Sequence, residues 1–453
     1  MKRLFTILSA ILLSCTLLRA QETPVVTELP HLSDSAYAAI LTCGAGDEFY
    51  TSFGHSAVRI CDSTQGIDVV YNYGTFDFDI PHFYWTSARG HLNYCLSRTT
   101  FDNFLFTYGY EQRAVWQQQL RLTPQETNNL FVMLENNYLP EYRYYLYDFF
   151  RDNCATRVRD MVANSLCHRA LSPECVTDTN LTYRNLLYRS TEKTLLWWRF
   201  GVDLCLGQRC DHRCSNYEYM FSPLEMMSQF DTLTVSDTGE PLANPAQQLL
   251  ADTRDPASRS VSPTLTFWLL FFAVAILTFI GWGKNWRLRW LDIILFLLPF
   301  LISLLVIFLW IFSSHYCAKV NLNILWASPL FIYFLVRLRK SRPWLVVLQM
   351  LMLLWAVVMT IAPLPQQLNA AVMPIALTLF IRLLAQLRIR ERRVLRRAEV
   401  DRRLRELHRP QVVLPQLRGD RRVAVVGRRQ RPVGAGEVAR EDRVGDGVRE
   451  GVG

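Results

Sequence analysis

Five apolar stretches, at about 264–282, 290–312, 323–337, 343–362 and 369–386, leave this chain few folds to choose from. Each is near the roughly 20 residues that an α-helix needs to cross a bilayer, and the third is the shortest. Peptide groups at that depth have no water to bond to, so a spanning segment must be a helix or part of a closed barrel. Unbroken apolarity, rather than alternation, points to helices. Basic residues mark one side. Lys284, Arg287 and Arg289 follow the first span, Arg337, Arg339, Lys340 and Arg342 the third, and Arg388 onward the fifth. The loops after the second and fourth spans hold few. Spans one, three and five therefore end in the cytoplasm, and the chain before residue 263 lies outside.

The N-terminus agrees with that placement. Lys2 and Arg3 precede an apolar core from Leu4 to Leu18, and Leu18-Arg-Ala20 ends in a small residue suited to cleavage before Gln21. Residues 1–20 thus read as a secretory signal peptide. Leu12-Leu-Ser-Cys15 offers a lipobox as the alternative, which the further apolar residues after Cys15 disfavour. Residues 21–235 form an outer domain. Residues 236–262, rich in Pro, Asp and Ser, read as a juxtamembrane linker. The five spans occupy 263–387. Residues 388–453 form a basic tail expected to be disordered, because after about Arg397 it holds too little to build a core. The net charge of +9 comes largely from that tail and the basic loops, so it implies no nucleic-acid partner.

An exported domain can carry disulfides. The outer part holds Cys43, Cys61, Cys95, Cys154, Cys167, Cys175, Cys205, Cys210 and Cys214. Setting Cys154 aside leaves an even number suited to pairing, with no connectivity readable from spacing. Cys205, Cys210, His212 and Cys214 fit no usual zinc knuckle, so no metal is expected, and no cofactor.

Cys154 stands apart because of its setting, Asp148-Phe-Phe-Arg-Asp-Asn-Cys-Ala-Thr-Arg157. Asp152 and Asn153 are good N-cap residues, and Val158 to Leu166 has apolar positions at helical spacing. Cys154 then falls in the first turn of a helix, where free N–H groups and the helix dipole favour a thiolate. A thiolate nucleophile needs a base. His55 in Ser52-Phe-Gly-His-Ser-Ala-Val-Arg59 follows a glycine and enters a strand-like run from Phe49 to Cys61. A cysteine at a helix start and a histidine at a strand start are the two halves of a papain-like site, here in permuted order. Each feature alone has a plainer reading: a packed cysteine, a turn histidine.

Asp68-Val-Val-Tyr-Asn-Tyr-Gly74 reads as the neighbouring antiparallel strand. Asn72 on it is the first choice to orient His55, and Asp77 the second. Aromatic residues crowd 75–94, as core, acyl-chain groove or interfacial belt. Residues 113–135 have helical periodicity, and Thr123-Pro-Gln-Glu126 reads as a capped helix start. Tyrosines between Tyr138 and Tyr147 either pack or offer hydroxyls to an oxyanion. The outer loop Ser313 to Asn323 places His315, Asn321 and Asn323 on the same side as Cys154, as ordinary loop polarity or as contacts to a headgroup or to the outer domain.

Three motifs in order, Gly-His55-Ser-Ala-Val-Arg59, Tyr71-Asn-Tyr-Gly-Thr-Phe-Asp77 and Asp152-Asn-Cys-Ala-Thr-Arg157, with five spans behind them, resemble the Lnb family of bacterial lipoprotein N-acyltransferases, the Bacteroides group above all. The resemblance covers roughly residues 30–387. It implies an α+β permuted papain-like (NlpC/P60-type) periplasmic domain followed by an all-α five-helix transmembrane bundle in the bacterial inner membrane. The implied reaction moves an acyl chain from a membrane phospholipid, through a thioester on Cys154, to the N-terminal cysteine amine of a diacylated lipoprotein, with His55 as base and Asn72 as its orienting residue. Arg59 and Arg157 would hold phosphate, or each would pair with a carboxylate. His315 and Asn323 gain weight as substrate contacts, because their loop also looks like a family feature. Two rivals differ in kind. A papain-like peptidase or amidase of cell-wall peptides would show the same motifs, but needs one anchor rather than five spans. A non-catalytic lipid- or partner-binding protein would use Cys154 structurally.

Overall fold

The computed structural model describes residues 29–407 except 49–50, 77–78, 173–179, 192–194, 236–238, 255–260, 285, 287, 338–340 and 363. The signal peptide, Asp77, Cys175 and the tail after 407 lie outside the described residues.

The outer domain is built on one antiparallel sheet. Its strands are β1 (Tyr37–Cys43), β2 (His55–Asp62), β3 (Ile67–Thr75), β4 (Asn93–Thr100), β5 (Val115–Gln119) and β6 (Tyr144–Leu146). Leu171–Ser172 (β7) and Thr234–Val235 (β8) form a separate ribbon, and Gln247–Leu250 (β9) completes the sheet in the order β6-β4-β3-β2-β1-β5-β9. Side chains alternate across a strand, and here both sets are apolar. Ala38, Ile40, Val58, Ile60, Tyr71 and Tyr73 pack on one face with the helices Pro124–Tyr138 and Cys154–Ser165. Leu41, Cys43, Ala57, Val70 and Val115 pack on the other with Phe104 of the helix Phe101–Tyr110. Each fully buried Val, Leu, Ile or Phe among them contributes roughly 1.5–3 kcal/mol, so both helical layers are firmly held.

Three segments differ from the sequence reading. Residues 113–122 begin as strand β5 rather than helix, because Val115 to Gln119 pair with β1. The helix starts at Pro124, where Thr123 and Glu126 form a full capping box. Residues 236–262 are not a plain linker, since β9 extends the sheet beyond β5 and Leu242 and Ala243 are buried. The basic tail is helical to Leu407 rather than disordered from 388. Arginine, leucine and glutamate are good helix formers, and the ion pairs Arg402–Glu406 and Arg403–Glu399 add support one turn apart within the second compact unit, which begins at Arg396.

The five spans are Pro263–Lys284, Arg289–Phe312, Tyr316–Arg337, Pro343–Ile361 and Val372–Glu406. Leu269, Leu298 and Leu351 are among the apolar side chains exposed on them, as on surfaces that face lipid. Inside the bundle, Asp292 accepts from Arg382 at 2.7 Å, and Thr278 takes another guanidinium N–H at 2.8 Å. An intramembrane charge is tolerated when so paired. The third span is broken. Two 3₁₀ turns, Tyr316–Ala318 and Leu322–Leu325, precede a helix of only 8 residues, Leu330–Arg337. Pro329 supplies no N–H to a helix running through it, and Asn321 bonds its own local backbone instead.

Candidate active site

Cys154 is the first residue of its helix, and the turn before it is tightly specified. Asn153 Oδ1 accepts the Thr156 N–H at 2.9 Å, and Thr156 Oγ1 accepts the Asn153 N–H at 2.8 Å. The Asn153 amide also donates to the carbonyls of Phe149 and Phe221, both at 2.8 Å. Asn153 is therefore the cap, and Asp152 is free to pair with Arg157. Cys154 is 8% exposed, and the backbone N–H groups of Ser56, Ala155 and Cys154 itself face its sulfur. Those donors favour the thiolate, but burial outweighs them and raises the thiol above its ordinary range. Burial thus works against the ionisation that the helix start favours.

His55 opens β2 opposite Cys43. Gly54 makes this turn possible, with φ +81° and a hypothetical β-carbon only 2.5 Å from the Cys43 carbonyl oxygen. Nε2 of His55 lies 3.2 Å from Asn72 Oδ1 on β3. An amide oxygen only accepts, so Nε2 carries the proton and Nδ1 is left with its lone pair, the form a base requires. Burial drives the His55 pKa down to about 4, against the Asn72 bond and with the Arg113 guanidinium adding to the push. Among the described residues no hydrogen bond joins His55 to Cys154. They meet instead in the wall of one cavity.

That cavity has a volume of about 950 Å³ and is lined by Cys154, His55 and Asn72 together with Phe76, Tyr94, Tyr147, Phe149 and Trp198. Its lining continues into the membrane part through Leu309, His315, Tyr316, Cys317 and Ala318. Tyr147 is stacked on Tyr94 with centroids 4.1 Å apart. At Gly74, whose φ is +91°, a β-carbon would sit 3.6 Å from Cys154 Cβ and 3.8 Å from the Tyr147 ring, so both side chains pack against the bare backbone of this residue. The Tyr147 hydroxyl is held protonated by burial, with the Cys154 sulfur next in effect.

The outer loop is fastened to the domain beside this cavity. The Ser314 N–H donates to the Arg89 carbonyl at 2.8 Å, and His315 Nε2 bonds the Ser87 carbonyl at 2.9 Å. Trp85 packs on Phe308 of the second span at 5.2 Å.

The remaining expected contacts fall elsewhere. Arg59 is bidentate to Asp68 at 2.7 Å, bonds Gln117 and lies 3.3 Å over Phe101. Arg157 is bidentate to Asp152 and lies 3.6 Å over the Tyr145 ring. Both arginines take the carboxylate alternative, and neither lines the cavity. Asn323 is buried as well, donating to the Asp203 carbonyl at 2.8 Å and accepting from Trp326 Nε1 at 2.8 Å, which makes it a join between the membrane part and the outer domain rather than a headgroup contact. His212 contacts the Arg209 carbonyl and Glu218 rather than the neighbouring cysteines. No disulfide joins the described cysteines in this structure, and several of them, such as Cys43 between the sheet and Phe104, are packed in the core. Arg113 and Trp198 line the cavity without having been singled out in the sequence. Nothing in their local sequence marks them, since each is placed by pairing or packing across the fold.

Fold and site together define a multi-pass membrane protein whose N-terminal α+β domain holds a buried cysteine and a neutral histidine in one cavity at the membrane-facing loops. Two family models match in the same order: the Lnb N-terminal periplasmic domain over residues 32–189, and the Lnb transmembrane domain over residues 255–393. The chain belongs to the Lnb family. No curated protein and no solved structure matches it.

Proposed function

We propose that this chain is a lipoprotein N-acyltransferase of the bacterial inner membrane, working through a permuted papain-like Cys154–His55–Asn72 arrangement. The observation that carries the reading is the shared cavity, in which the cysteine and histidine of the outer domain and the outer ends of the spans line one space. A phospholipid ester has its carbonyl near the membrane surface and its chains below, so such a cavity suits it better than a cell-wall peptide.

In the first half-reaction, Cys154 Sγ attacks the ester carbonyl while His55 Nδ1 takes the thiol proton. The pair starts neutral, so no charge is carried until substrate fills the gap between them. The oxyanion develops beside Tyr147, and a donation from its protonated hydroxyl would stabilise the charge. Collapse expels the lysophospholipid alkoxide, which receives the proton from His55, and leaves an acyl thioester on Cys154. In the second half, the free amine of a diacylated lipoprotein attacks the thioester, His55 accepts its proton, and the thiol is restored. Asn72 keeps the imidazole in the tautomer that both halves need. The aromatic wall takes acyl chain, and the fastened loop holds donor and acceptor beside the sulfur.

The test is to trap the intermediate. The full chain, reconstituted with phospholipid and no lipoprotein, is expected to carry one acyl group on the peptide containing Cys154, released by hydroxylamine. A chain that stays unacylated yet hydrolyses cell-wall peptides would replace this reading with the peptidase one.

A further inference from the structure

The outer domain and the membrane part touch through two short 3₁₀ turns, Gln208–Asp211 and Tyr316–Ala318. The Gly207 N–H donates to the Cys317 carbonyl at 2.7 Å, and the Gln208 N–H to the Val320 carbonyl at 3.0 Å. These bonds bring Cys210 and Cys317 face to face. The Cys210 sulfur lies 4.0 Å from the Cys317 carbonyl oxygen, and the two thiols are within hydrogen-bonding reach of each other. Both are buried, at 0% and 4% exposure, in one cluster with Cys214, Phe150, Tyr183 and Phe221. The domain in which Cys210 sits belongs to the oxidising side of the membrane, where adjacent thiols do not stay reduced.

We propose that Cys210 and Cys317 form a disulfide that staples the outer domain to the 3₁₀ turn at the outer start of the third span. A periplasmic thiol–disulfide oxidoreductase is the oxidant. Its disulfide is attacked by one of the two thiolates, giving a mixed disulfide and one enzyme thiol. The second thiolate of this chain then displaces the other enzyme sulfur. Two thiols here become one disulfide, and their two protons and two electrons leave with the oxidoreductase, now a dithiol. Burial holds the Cys210 thiol well above its ordinary range in the finished fold, so the exchange takes place while the two turns are still apart.

The bond would have two consequences. It closes a loop of 107 residues, the kind of cross-link that most restricts an unfolded chain. It also fixes His315 and Tyr316, which line the cavity, relative to the domain that carries Cys154. This inference rests on the outer placement and not on acyl transfer.

The experiment is a peptide map of the full wild-type chain, taken from membranes of cells with an intact periplasm. The chain is denatured in alkylating agent without reductant and then digested. The expected result is one species joining the Cys210 and Cys317 peptides, two hydrogens lighter than their sum, which separates on reduction. Alkyl label on both cysteines overturns the proposal, and so does Cys210 joined to Cys214 or to any other cysteine. A thermal melt adds a second reading. Reductant is expected to lower the Tm of the wild type and to leave that of Cys317→Ser unchanged, and an equal fall in both would contradict the staple. The map needs no variant, so poor folding of Cys317→Ser does not weaken it.

Discussion

The proposed chemistry turns on Cys154 and His55, both of which burial pushes toward the neutral form. His55, at about 4 when folded, regains an ordinary value near 6.5 when the chain unfolds. Between those values the unfolded chain binds a proton that the folded one does not, so stability falls as pH drops through that window. In the proposed reaction the base works unprotonated. The acid limb of kcat/KM is therefore expected well below 6.5, and a limb at an ordinary histidine value would mean that His55 is not enclosed in the working enzyme. Asn72→Ala removes the orienting acceptor and is expected to cost about tenfold or more in kcat/KM with little change in Tm. Tyr147→Phe, which keeps the ring stacked on Tyr94, is expected to lower kcat on the order of 100-fold, as for loss of one oxyanion donor. Unchanged kcat would return Tyr147 to a packing role.

Local signals made Cys154 and His55 legible in the sequence. Asn153 and Thr156 announce a capped helix within four residues, and Gly54 announces a turn that only glycine enters cheaply. Asn153→Ala is expected to cost about 2 kcal/mol or more, read as a lower Tm, because the cap is lost and two further carbonyls lose their donor. Gly54→Ala is expected to cost roughly 1–3 kcal/mol, since its β-carbon meets the Cys43 carbonyl at a positive φ. Elsewhere the sequence misled for physical reasons. Gln117, Gln118 and Gln119 suit a helix as well as a strand, and only pairing with β1 decides for β5. β9 is polar and short, so its place at the sheet edge left no pattern in a stretch rich in turn formers. The partners of Arg59 and Arg157 sit nine and five residues away, and the sequence left phosphate and carboxylate equally open.

Between the two halves of the molecule runs a buried polar seam. Arg184 is fully enclosed, paired with Asp203 and Asp211 at 2.7 Å each. Asp203 is reached in turn by Tyr188 and by Asn369 of the membrane part. Asn321 and Gln366 donate to the Leu204 and Leu206 carbonyls. Such groups are costly when left unpaired, so they fix one relative placement of the site and the spans. Asn323→Ala would strand the Trp326 N–H and is expected to lower stability by roughly 1–3 kcal/mol while Cys154 stays intact.

The central claim is that Cys154 and His55 transfer an acyl chain to a lipoprotein. Wild type, Cys154→Ala and His55→Ala would each be expressed in a strand lacking lipoprotein N-acylation, and the acyl groups on a lipoprotein N-terminal peptide counted by mass spectrometry. The account predicts a third acyl group with the wild type and none with either variant at equal membrane levels. A third acyl group with all three forms, or with none, would contradict it.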